Sequence, residues 1–172
     1  MEIVGNILLS ILSGLVASGV FLLVLSKLRP SIEISPFIAR EKDDDGKFFT
    51  FKIVNKSRRS CIGVKVDASL AKQTNVQGGH TFWTKQLPLK QTEVFEISRN
   101  DKKDSNADYA WRFVTDEDLD KIWGSDNDLV RFRVLATDSL TGFSRAFVHQ
   151  FRLARNSIKD GSHHFGNDLN VS

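Results

Sequence analysis

Four histidines, one cysteine and 21 Asp and Glu residues are the groups from which this chain would have to build a reaction centre. Their spacing builds none. His80 and His149 stand alone, His163 and His164 are adjacent, and Cys61 is the only thiol, so the pattern of paired Cys or His ligands that holds a metal is missing. A nucleophilic serine needs a strained turn and a positioned histidine, and no such elbow occurs. Gly78-Gly79 alone is no phosphate loop and reads as a turn. Asp116, Glu117 and Asp118 have a simpler role as first-turn charges of a short helix. The expectation is therefore no catalytic residue, no metal and no cofactor.

Three groups of side chains are suited to binding rather than reaction. The turn Lys56-Ser57-Arg58-Arg59 offers cations to phosphate, of an anionic lipid headgroup or of a nucleotide signal, although a solvated turn is the simpler reading. Arg131, Arg133, Arg145 and His149 alternate with Val130, Phe132 and Val134 and lie among Phe143, Phe147 and Phe151. Arginine between aromatics suits an anion pocket, although a solvent-facing sheet surface is the simpler reading. Trp83, Trp111 and Trp123 read as core anchors or, less simply, as a stacking wall for a ligand. With 24 Lys and Arg against 21 Asp and Glu, interspersed along the chain, there is no concentrated basic face for a nucleic acid duplex.

The element that places these groups in a cell is the charge-free run over 3–26. About 20 apolar residues at ~1.5 Å each cross the roughly 30 Å hydrocarbon layer, so residues 1–28 are expected to be a single transmembrane helix. A cleavable signal fits worse. Glu2 is the only charge before the run, the run is long, and Ser26-Lys27-Leu28-Arg29-Pro30 is a poor cleavage site. Lys27, Arg29, Arg40 and Lys42 on the C-terminal flank place the following domain in the cytoplasm, with the inner membrane as location. A lone Cys61 agrees with a reducing compartment. Within the run, Asn6, Ser10, Gly14 and Ser18 recur at four-residue spacing and share one helical face, which allows close helix approach and predicts a homo-oligomer in the lipid bilayer.

Residues 29–155 are long enough for one domain. Alternation predicts strands at 31–38, with Pro36 favouring an edge position, and at 49–54, with one face inward. The clearest alternation sets Val64, Val66, Ala68 and Leu70 against Gly63, Lys65, Asp67 and Ser69. Further strands are expected at 80–86, 93–98 and 109–114. Thr115 with Asp118 predicts a capped helix carrying Leu119, Ile122 and Trp123, stopped by Gly124. Residues 129–137 and 143–153 form a hairpin around Asp138-Ser139-Leu140-Thr141-Gly142. From Asn156 the hydrophobic period disappears, so 156–172 is expected to be a flexible tail. The fold class is mainly β, an antiparallel immunoglobulin-like β-sandwich with one short helix.

The order of a span, Arg29-Pro30, strands, a polar turn, paired glycines, a short helix and a long hairpin resembles the cytoplasmic immunoglobulin-like domain of inward-rectifier potassium channels. The stretches 49–71, 115–122 and 129–151 carry the resemblance. Those channels also have a second span, a pore helix and a TxGYG-type filter, and Thr141-Gly142-Phe143 in a hairpin is no substitute. The resemblance implies a shared sandwich and shared assembly, not potassium selectivity. Two functions follow. One is a non-enzymatic module that binds a protein or an anionic small ligand beside the membrane and self-associates through its span. The other is an oligomeric membrane effector gated by ligand, similar in plan to anti-phage effectors that join membrane helices to a β-rich nucleotide sensor.

Overall fold

The charge-free run forms one continuous helix, α1 (Glu2–Lys27), in a computed structural model that describes residues 2–44, 46–101 and 103–172, with backbone alone at 2–4, 8, 26 and 27. Its stretch Gly5–Leu25 is long and apolar enough to cross a membrane, and no part of that stretch is buried against the rest of the chain. The Leu28 amide still bonds the Leu25 carbonyl (3.0 Å), after which Pro30 ends the helix because it lacks an N–H and restricts its predecessor.

Among the described residues nine strands follow: β1 (Ile32–Asp43), β2 (Gly46–Asn55), β3 (Cys61–Val76), β4 (Gly79–Leu87), β5 (Glu93–Ile97), β6 (Ala110–Thr115), β7 (Leu129–Asp138), β8 (Ser144–Phe151) and β9 (Ile158–Asp160). They make two sheets. The first has the order β6-β2-β1-β9 and the second β4-β3-β7-β8, with β5 also paired to β3. Pairing is antiparallel except for β1 with β9. The β3 ladder shifts register between Ile62 and Lys65, where Gly63 takes φ +56°. A left-handed glycine is what a bulge requires. On its other edge β3 pairs with β5 over its first part and with β4 over its second.

The sheets meet over a shared core. Phe51 of β2 stacks on Phe132 of β7 with centroids 4.8 Å apart, and Phe113 and Phe151 tilt against that pair. Val64, Val66, Ala68 and Leu70 are buried, as alternation along β3 predicts.

Five expectations are corrected. β1 runs past Pro36, because a register shift between Ile34 and Ile38 takes the proline out of the ladder; β9 then flanks it, so β1 is no edge over Ile38–Arg40. Both faces of β2 are buried, not one. Thr115 ends β6, donates its hydroxyl to the Pro88 carbonyl (2.6 Å) and accepts from the Glu117 amide (3.3 Å), short of the helix it was expected to cap; α2 (Leu119–Ile122) is a single turn whose N-cap is Asp118, without a side-chain cap. Of the tryptophans Trp123 is a buried core anchor, its indole N–H bonded to the Asp128 carbonyl (3.1 Å), Trp111 is half-buried and packs against the core, and Trp83 alone departs from the expectation, being exposed.

The largest correction concerns 156–172. After α3 (Ala154–Ser157) and β9, the chain turns across the outer face of the first sheet, where a bridge joins His163 to Val171. Lys52 donates to the carbonyls of His164 (2.5 Å) and Asp168 (2.7 Å), and Ser35 donates to that of Leu169 (2.8 Å). Segment 161–172 docks through backbone carbonyls and a few inserted side chains, which leave no period in a sequence. The described part of the turn 43–46 is a tight return with the Gly46 amide on Asp43, and Asp45 lies outside the described residues.

Candidate functional site

The polar turn after β2 is built around Asn55, a buried side chain that the alternation pattern treats as loop. Its amide donates to the carbonyls of Arg59 (2.9 Å) and Ser98 (2.9 Å), and its oxygen accepts from the Ser57 amide (2.8 Å). A buried amide with every near group satisfied makes the turn rigid. The predicted cations are then used unequally. Lys56 pairs with Glu33 (3.1 Å) and donates to Asn167 (3.1 Å). Arg59 donates through Nε and Nη2 to Asp138 Oδ2 (2.9 and 2.8 Å), and Nη2 also reaches the Leu28 carbonyl (2.7 Å). Arg58 is exposed and forms no ion pair among the described residues.

Asp138 is the residue that sequence reasoning missed. It is wholly buried, and its second oxygen accepts from the Leu140 amide (3.1 Å), the Thr141 amide (2.9 Å) and the Thr141 hydroxyl (3.0 Å). Burial pushes its carboxyl upward, but the Arg59 guanidinium and the Thr141 and Leu140 bonds outweigh this and hold it below the usual carboxylate range. The only sequence signal was an aspartate opening a turn, which names no partner 79 positions away.

The hairpin cations are not brought together. Odd-numbered residues of β7 pair with even-numbered residues of β8, so Arg131 and Arg133 lie opposite Gln150 and Val148, while Arg145 lies opposite Ala136 and His149 opposite Phe132. Arg145 and His149 thus share the sheet side of the core residues, and Arg131 and Arg133 the other. Arg133 is neutralised by Asp67 (Nε 2.7 Å, Nη2 2.5 Å). Arg145 lies over Phe147 at 5.0 Å, and His149 packs edge-on to Phe151, its imidazole shifted downward by burial. Arg131 lines a shallow pocket of about 440 Å³ that also carries Asp126 and Asp128, so that pocket has no consistent attraction for anions.

A second recess, about 260 Å³, lies beside segment 161–172 and is lined by Lys52, Arg112, His164, Phe165 and Gly166 among others. Its cations hold the covering segment. Besides the Lys52 bonds, Arg112 donates to the His163 carbonyl (2.6 Å), and His164 bonds Asp168 (2.6 Å) and Ser172 (2.7 Å). Burial, with repulsion from Arg112, lowers Lys52 to about 8.

Along α1, Asn6, Ser10, Gly14 and Ser18 lie on one continuous helix, and a Cβ on Gly14 would meet nothing within 4 Å. The Ser10 hydroxyl donates to the Asn6 carbonyl (2.8 Å) and that of Ser13 to the Ser10 carbonyl (2.9 Å). For catalysis the arrangement offers little. Burial pushes the Cys61 thiol up to about 11, which keeps it protonated near neutrality. No group of three His, Cys, Asp or Glu able to hold a metal occurs among the described residues. Comparison with models of known protein families and with curated protein sequences finds no match, so function rests on the geometry of this chain alone.

Proposed function

We propose that the protein is a single-pass inner-membrane protein whose α1 spans the bilayer and holds an immunoglobulin-like β-sandwich on the cytoplasmic side, as a non-enzymatic binding module that self-associates through the span. The observation that carries this reading is α1 itself. A 21-residue apolar stretch that is not buried among the described residues needs lipid or copies of itself for cover. Lys27, Arg29, Arg40 and Lys42 on the domain side support the cytoplasmic orientation. The gated-effector alternative has weaker support, since Ser10 and Ser13 spend their hydroxyls on their own helix rather than offering them to a pore.

The test is membrane extraction at alkaline pH combined with protease access from each side of sealed vesicles. The reading expects the chain to stay in the membrane and the domain to be cut only from the cytoplasmic side. Release by alkali would end it. Self-association is tested separately by Gly14→Leu, which should convert detergent-solubilised oligomer to monomer; an unchanged mass would remove the span from assembly.

A further inference from the structure

The domain begins almost where the apolar stretch ends. At ~1.5 Å per residue, Gly5–Leu25 covers about the thickness of the hydrocarbon layer, and roughly 5–8 Å of headgroup region lies beyond on each side. Leu28, three residues further, therefore stands among headgroups on the reading of α1 as a span. Arg59 is bonded to the Leu28 carbonyl, Asp138 to Arg59, and the Leu140 and Thr141 amides to Asp138. These contacts tie the β7–β8 turn to the helix end through buried or half-buried groups. The turn after β2 is tied to the same place, because the Ser31 amide donates to Ser57 Oγ (2.8 Å) and the Lys56 amide to the Ser31 carbonyl (2.7 Å).

What this rigid junction presents is unusual for a surface. Leu140 is 73% exposed and Phe143 39%, on one tight turn. Arg58 is exposed beside them on the adjoining turn, whose Ser60 carbonyl accepts from the Ser139 amide (3.2 Å). The Asn100 amide bonds the Ser57 carbonyl (3.1 Å), which brings exposed Arg99 to the same end, with Asp101 4.0 Å from its guanidinium.

We propose that the β7–β8 turn is a second membrane contact, in which Leu140 and Phe143 enter the headgroup layer of an anionic bilayer while Arg58 meets lipid phosphate. This rests on the span reading and extends it: the domain is held against the surface rather than swinging on a tether. An apolar tip with a neighbouring cation is the combination that an anionic interface stabilises, by apolar burial and by charge. The mate for this surface is a bilayer because the helix leads directly into one.

The test uses the full chain in lipid nanodiscs with spin labels on Leu140→Cys, on Leu15→Cys in α1, and on Gln77→Cys at the distant β3–β4 tip. Buried Cys61, with its raised thiol, stays unlabelled. Contact with oxygen relative to a water-soluble nickel complex reports depth. Position 140 should give a ratio about threefold above position 77 in anionic discs, with position 15 deeper than both. Arg58→Gln should lower the ratio at 140 toward its value in zwitterionic discs. Equal ratios at 140 and 77, with 15 still deep, would overturn the contact and leave the span standing. Nickel contact at 15 as high as at 77 would overturn both. A ratio at 140 that ignores lipid charge would overturn the role of Arg58.

Discussion

The outer faces of the two sheets are written in the same alternating pattern and meet opposite fates. On the first sheet Thr50, Lys52 and Val54 are 2%, 1% and 0% exposed, because segment 161–172 lies on this face, joined over Val54 by Ala107 and Tyr109. On the second sheet Leu135 is 43% and Val148 54% exposed, with Arg133 beside them held by Asp67. Alternation states which residues share a face. Whether the face has a cover depends on a distant segment, and here that cover carries a buried lysine and a buried histidine that the open face has no need for.

Removing the cover should have the largest effect. Deletion of 161–172 strips Leu169, Val171 and His163 from the first sheet and leaves Lys52 without its two carbonyls. A loss of about 4 kcal/mol, a fall in Tm of roughly 10 °C, is expected for the solubilised protein, read by thermal unfolding. An unchanged Tm would mean that the two outer faces are energetically alike.

Acid should produce the next effect, and only on the covered face. Burial lowers the His163 imidazole to about 4 from 6.5, helped by nearby Lys52 and Arg112 and opposed by its bond to the Thr50 carbonyl (3.1 Å). The unfolded chain binds the proton first, so this stability is complete above pH 6.5 and is lost as pH falls toward 4, up to roughly 3 kcal/mol. Amide exchange in 161–172 should accelerate across that window more than in β7 and β8, after correction for intrinsic rates. His163→Gln should flatten the dependence, and a profile unaltered by that change would assign the acid sensitivity elsewhere.

Smaller effects are expected on the open face. Asp67→Ala breaks an ion pair whose partners are both partly exposed, at a cost below about 1 kcal/mol that shrinks in high salt. Leu135→Thr with Val148→Thr should alter stability by less than about 0.5 kcal/mol, measured by denaturant midpoint. A larger loss would show that this face has a cover of its own, such as a second copy of the chain.

Much of the architecture was legible beforehand. The charge-free run, the alternation of β3 and the β7–β8 hairpin are local patterns, and each appears as an element, although β3 runs on to Val76, beyond the alternation over 63–70. The candidate sites were less legible. The hairpin cations looked like one group because all have odd numbers, yet antiparallel register sends Arg131 and Arg145 to opposite sides. Arg59 looked like one of three free cations, and its role depends on Asp138 and the Leu28 carbonyl. Pro36 looked like the mark of an edge strand and sits in a register shift within one that β9 flanks.

By itself the amino-acid order determined that a long apolar helix precedes a mainly β domain, because helix length and strand alternation are set by neighbours a few residues apart. Tertiary structure alone decided that Lys52 is buried, that residues 161–172 are a cover and not a tail, and that Arg59 and Asp138 lock the domain to the helix end. Those outcomes depend on which distant backbone carbonyl or carboxylate arrives beside a side chain, and every peptide unit carries the same carbonyl, so composition and spacing hold no record of it.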